Sequence, residues 1–133
     1  MTPEKLFSRH PLDNGLTLEF WDLSRPMIGD RWIVVLEARL AIPVGAATLP
    51  PDLMGQEAEI SRTLGPEVVF SQRDERNFIA AEDLPATLKE IEARLLTLAP
   101  SYFGHQEFAG RFIRKRFAEF QEEQRWHSRQ TQQ

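Results

Sequence analysis

Between Arg31 and Pro43 the side chains alternate with a period of two. Trp32, Val34, Leu36, Ala38, Leu40 and Ile42 fall on one side, and Ile33, Val35, Glu37, Arg39 and Ala41 on the other. That period belongs to an extended strand, because successive side chains point to opposite faces of a sheet. One face is wholly apolar and the other turns polar halfway, so the run predicts a sheet that is covered on one face. Upstream, Asp13-Asn14-Gly15 joins Lys5–Leu12 to Leu16–Leu23. Asn-Gly tolerates the positive φ of a two-residue hairpin turn, which makes this junction a hairpin. In the second run Leu16, Leu18 and Phe20 share a face. Arg25–Asp30 follows as a loop punctuated by Pro26 and Gly29. The first third is therefore expected to be a β-meander.

Pro43–Pro51 reads as a connector, and Asp52 as the cap of a short helix carrying Leu53, Ile60 and Leu64, stopped by Gly65-Pro66. Val68–Ala80 has apolar ends around a charged middle, Arg73-Asp74-Glu75-Arg76, which fits either one long edge strand or a tight hairpin. Asp83 is placed to cap a helix whose Leu84, Leu88, Ile91, Leu95 and Leu98 follow a 4-3-4-3 spacing, with Pro85 harmless in its first turn. A last helix is predicted from about His105 to His127, roughly 35 Å long at 1.5 Å per residue. That is more than twice the radius of gyration of about 14 Å expected for a domain of this size, so its far end is expected to project. The fold class is α+β: a three- to four-stranded, mainly antiparallel sheet, begun by the meander, with the two C-terminal helices packed on one face. Residues 1–128 are read as one domain and 129–133 as a frayed polar tail.

Composition narrows the function classes. The 133 residues contain no cysteine, which removes disulfide frameworks, thiolate metal sites and cysteine nucleophiles. No stretch approaches the roughly 20 apolar residues of a membrane-spanning helix. The opening Met1-Thr2-Pro3-Glu4-Lys5 lacks the basic head and apolar run of a signal peptide, so a cytoplasmic setting is expected. Net charge is −4, which disfavours a general coat for nucleic acid. Charge is uneven, however: residues 1–100 hold 10 basic and 16 acidic side chains, and residues 101–133 hold 6 and 4. The C-terminal segment is expected to face something different from the rest.

On a helical wheel begun at Phe108, Ala109, Ile113, Phe117 and Phe120 lie between about 100° and 180°, and Phe108, Phe112 and Trp126 between about 0° and 40°. The apolar arc is wider than one docked seam requires. Phe117, Phe120 and Trp126 are accordingly the candidate anchors of a homo-oligomer or protein-partner interface, since large aromatics dominate interface energies. Arg111, Arg114, Lys115, Arg125 and Arg129 gather on the opposite face and form a candidate anion or nucleic-acid surface.

Other chemistry is weaker. His10, His105 and His127 have no metal-ligand spacing, and neither metal nor cofactor is expected. Asp22 and Asp30 bracket a strand-end loop with Ser24, Arg25 and Arg31, the place an acid/base pair would occupy in an enzyme. Gly104–Arg111 has the wrong spacing and the wrong residues after its second glycine for a phosphate-binding loop. Asp22-Leu23-Ser24, with Gly29 downstream, resembles part of the DxSxxG element of PilZ domains, which bind cyclic di-GMP. The glycine stands two residues late and no RxxxR motif precedes it, so the resemblance covers a few residues and implies little. The expected function is a small, non-enzymatic binding or assembly module working through its last helix. Anion or nucleic-acid binding is the alternative, and an enzyme at the Asp22–Asp30 loop a further one.

Overall fold

The computed structural model describes residues 4–131. It is an α+β fold with strands β1 (Lys5–Pro11), β2 (Thr17–Asp22), β3 (Arg25–Pro26), β4 (Arg31–Pro43) and β5 (Glu67–Ala80), and helices α1 (Glu57–Leu64), α2 (Leu84–Leu96) and α3 (Phe108–Thr131). Two compact units are present. The first comprises the chain through Leu40 together with Val69–His105, and the second comprises Ala41–Val68 together with the residues from Gln106 on.

In the first unit β1 pairs with β2 and β2 with β4, all antiparallel, as the meander requires. The loop between β1 and β2 has three residues, not two. Leu12 N–H donates to Leu16 O at 2.8 Å, and Gly15 takes the positive φ of 85°. Asn14 serves another purpose: its amide donates to the Phe103 and His105 carbonyls at 2.8 and 3.0 Å while its Oδ1 accepts from Leu16 N–H. Of the predicted loop Arg25–Asp30, Arg25 and Pro26 join the ladder and residues 27–30 stay a loop. Asp22 pairs with Leu36, and the same register carries on to Arg25 with Ile33 and Pro26 with Trp32, so β3 continues β2 along one edge of β4. At the interruption Ser24 Oγ accepts from Val35 N–H at 3.0 Å, standing in for a ladder carbonyl.

Since β2 and β3 occupy one edge of β4, β5 takes the other. β5 is one strand rather than a hairpin, because its charged middle keeps the alternation, with Arg73 finding a partner across the sheet and Asp74 one on α2. Arg73 Nε reaches Glu37 at 2.9 Å on one face, and Asp74 meets Arg76 and, from α2, Arg94 on the other. Phe78 breaks the alternation. It sits at φ 59°, a strained conformation for a bulky residue, and leaves its ring 71% exposed.

α2 belongs with the apolar face of this sheet. Leu88, Ile91 and Leu95 are buried, and the helix is tied at both edges: Glu92 accepts from Ser8 and lies 3.2 Å from His10 Nε2 on β1, and Arg94 pairs with Asp74 on β5. Asp83 occupies the N-cap of α2 without a side-chain capping bond, and Pro85 lies in the first turn. Leu98 falls out of the stripe because the helix ends at Leu96, and it is exposed.

The second face of β4 is covered too. Val35 is buried, and Glu37 is only 6% exposed. Arg39 also pairs with Glu37, reaches Glu4 at 3.1 Å and lays its guanidinium 4.9 Å above the Trp21 ring. Burial raises the Glu37 carboxyl, but the hydrogen bonds and charges of Arg73 and Arg39 overcome it and hold the group below its ordinary 4.5.

In the second unit Asp52 does not cap a helix. Pro50 is the N-cap of a 3₁₀ turn over Pro51–Gln56, with Asp52 in its first turn, and α1 follows and stops at Gly65, φ 85°. α3 packs with α1, and Leu49, Ile60, Phe108, Ala109, Ile113 and Phe117 are the buried residues of the two helices and their connector. α3 runs to Thr131, past the expected end at His127 and through the first residues expected to fray, while Gln132 and Gln133 lie outside the described residues.

Two outcomes follow. A carboxylate whose folded pKa is depressed contributes stability above its unfolded pKa and loses it as pH falls through the folded value. Glu37→Gln therefore lowers stability at pH 7 and, in urea melts at pH 7 and pH 3, shrinks the difference between the two. Phe78→Gly relieves the left-handed backbone of an exposed ring and raises stability by about 1 kcal/mol in the same assay. A loss of stability in that variant would show that the ring itself is needed.

Candidate functional site

α3 presents three surfaces in succession along its length. At its start Gly110 lets the helix approach the 48–50 connector closely, since a Cβ there would stand 3.2 Å from Thr48 O and Pro50 Cγ. Beside this contact lies a cleft of about 460 Å³ lined by Thr48, Pro50, Asp52, Glu107, Arg111 and Arg114. Arg114 grips Asp52 with two parallel bonds of 2.7 and 2.6 Å, and Arg111 reaches Glu107 at 2.6 Å. The Arg114 hydrogen bonds, with its charge, hold the Asp52 carboxyl below its ordinary 3.8.

One turn and a half further on, Phe117 and Phe120 with Gln121 and Gln124 face Glu59 and Thr63 of α1 across a second, more open groove of about 460 Å³. Phe117 is buried and Phe120 half-buried. Beyond it every residue from Gln121 to Gln130 is exposed although the segment is helical, and Trp126 is 58% exposed. Ion pairs lie on and just before this stretch, Arg125 with Glu122 at 3.0 Å and Arg116 with Glu119 at 3.9 Å.

The predicted anchors are thus divided between two environments, with Phe117 and Phe120 in the groove and Trp126 on the open end. Of the predicted anion-binding residues, Arg111 and Arg114 share the first cleft, Arg125 lines the second groove, and Lys115 and Arg129 stand on the exposed surface. Arg111, Arg114 and Arg125 each have a carboxylate of their own chain, which offsets their charge toward an incoming anion.

Asp22 and Asp30 are not brought together. Asp22 pairs with Leu36 and Asp30 precedes Arg31, leaving about 17 Å of strand between them. Asp22 Oδ1 accepts from Ser24 N–H at 2.9 Å, and Asp30 points outward, 3.9 Å from Arg31. Sequence reasoning missed a different grouping, Ser8, His10 and Glu92, whose partners are 82 and 84 residues apart. Ser8 Oγ and Glu92 Oε2 both meet the same imidazole nitrogen, Nε2, at 3.2 Å. A nucleophile relay needs the acid on the opposite ring nitrogen, so the trio ties α2 to β1. Among the described residues no cluster of three His, Asp or Glu side chains could hold a metal, and no helix is long and apolar enough to cross a membrane.

Comparison of the chain with protein-family models, with curated proteins and with solved structures found no match.

The Asp52–Arg114 pair yields a direct measurement. Asp52 is expected to titrate below 3.8 in a carbon-detected NMR titration, and Arg114→Gln returns it toward that value. An unchanged Asp52 midpoint in the variant would mean that the pair does not persist in solution.

Proposed function

We propose that this chain is a small, non-enzymatic binding or assembly module whose working surface is the distal part of α3, where it self-associates or takes a protein partner. The observation that carries the reading is the run Gln121–Gln130, ten exposed residues held in helix with a large aromatic among them. A helix in a globular protein owes most of its stability to an apolar face packed on something, and among the described residues this stretch buries no side chain. The adjoining groove floored by Phe117 and Phe120 gives a partner an apolar foothold beside it. A cytoplasmic setting, supported by the cysteine-free sequence, completes the reading.

Phe120→Asp places a charge at the edge of the groove without emptying the core. The expected result is a protein of unchanged far-ultraviolet circular dichroism that associates less than its parent in sedimentation equilibrium, or loses a captured partner. A parent that stays monomeric at millimolar concentration and a Phe120→Asp variant that keeps every partner would together overturn the reading.

A further inference from the structure

The cleft at the start of α3 is of a different kind from the distal surface. Its volume of about 460 Å³ lies within the roughly 300–1,000 Å³ of small-molecule pockets, and all of its lining residues belong to the second unit. One wall is stiff. Thr48 Oγ1 donates to the Pro43 carbonyl, the Thr48 and Leu49 N–H groups both donate to Gly45 O at 3.0 Å, and Pro50-Pro51 fixes the backbone entering the 3₁₀ turn. This wall is also apolar, with Leu49 buried and Pro50 half-buried. The facing wall is α3, which Gly110 allows to come close.

Both signs of charge stand on the rim of this cleft. Arg111 and Arg114 are three residues apart on α3, with about 5–6 Å between their Cβ atoms, so their two guanidinium groups can converge on one carboxylate. Asp52 meets Arg114 from the connector, and the hydrogen bonds between them hold both groups in their charged forms. The two side chains are 50% and 60% exposed. An ion pair so open to water adds little to stability, and it exchanges readily for an equivalent one.

From this arrangement we infer that the cleft binds a small zwitterion, an α-amino acid with an apolar side chain being its simplest form. The ligand carboxylate takes the place of Asp52 on Arg114 and is shared with Arg111. Its ammonium takes the place of Arg114 on Asp52, and its side chain lies against Leu49 and Pro50. After the exchange each charge again has an opposite one. A lone anion would strand Asp52 and a lone cation would strand Arg114, so neither gains what the zwitterion gains. The site is separate from distal α3 and does not depend on association there.

Titration of the intact chain with L-leucine, N-acetyl-L-leucine and L-leucinamide tests the inference, read from the backbone amide NMR shifts of Thr48, Asp52, Arg111 and Arg114. The N-acetyl compound keeps only the carboxylate and the amide only the ammonium. Leucine is expected to give saturating shifts in the millimolar range, and each single-charge analogue to bind about tenfold more weakly. Glycine, with nothing to lay against Leu49 and Pro50, is expected to bind more weakly than leucine. Asp52→Asn and Arg114→Gln are each expected to weaken leucine about tenfold with unchanged circular dichroism.

Amides that stay unmoved at tens of millimolar of both leucine and glycine would overturn the site. N-acetyl-leucine binding as tightly as leucine would make it an anion site, and leucinamide doing so a cation site; either overturns the zwitterion. Leucine binding that survives both Asp52→Asn and Arg114→Gln would place the ligand elsewhere and overturn the assignment of these residues.

Discussion

Burial of both faces of β4 is the constraint on which the rest of the first unit depends. Val34, Val35, Leu36, Glu37 and Ala38 are five consecutive buried residues, so the strand is enclosed above and below rather than resting on a solvated face. Enclosure above is ordinary apolar packing against the stripe of α2. Enclosure below includes a carboxylate, and a carboxylate loses much of its hydration there unless cations replace the water. Arg39 comes from the same strand and Arg73 from β5. The charged middle of β5 is thereby explained: it brings a partner to Glu37 from one face and, through Asp74, an anchor for α2 from the other. Removing either cation would leave a buried charge short of partners, which is why this polar face adds order to the sheet rather than merely coating it.

What was legible in the sequence was whatever a local period or punctuation specifies. The alternation of β4, the 4-3-4-3 stripe of α2 and the Gly65-Pro66 stop each depend on residues a few places apart, and each element formed where its pattern lies except that α2 stops at Leu96, short of Leu98. Three features were not legible for a common reason. Ser24 completes the ladder because Val35 comes to lie beside it, Asn14 adds to its turn bond a tie to the 103 and 105 carbonyls, and Asp52 pairs with Arg114 from 62 residues away instead of capping. In each case a side chain with a good local use found a tertiary one. The same holds for the site: the helix wheel of α3 grouped Trp126 with the apolar arc, but which part of that arc would be covered depended on α1, an element elsewhere in the chain.

The local rules also mislead where strain enters. Phe78 looks like one more apolar residue at the end of a strand, yet it turns at positive φ and points its ring outward. Strain of this kind is kept when neighbouring structure over-determines it. Here Ala81 N–H, three residues on, donates to Asp30 O at 3.1 Å, so the end of β5 is fastened to the loop between β3 and β4 and the chain must change direction just before it.

Charge and apolar surface part company along α3, and that supports the proposed reading over an anion site. An enzyme or an anion site needs polar groups left unsatisfied until a ligand arrives, held there by the fold. In the clefts of this chain the arginines have found carboxylates already, Arg111 with Glu107, Arg114 with Asp52 and Arg125 with Glu122. An incoming anion would have to displace an internal partner of equal charge, and little would be gained. The apolar groups are in the opposite condition. Phe120 is half-covered, and Trp126 is mostly open on a stretch of helix whose described residues are all exposed. The larger unmet term is therefore water against aromatic surface, and another polypeptide satisfies that term better than a small ion does.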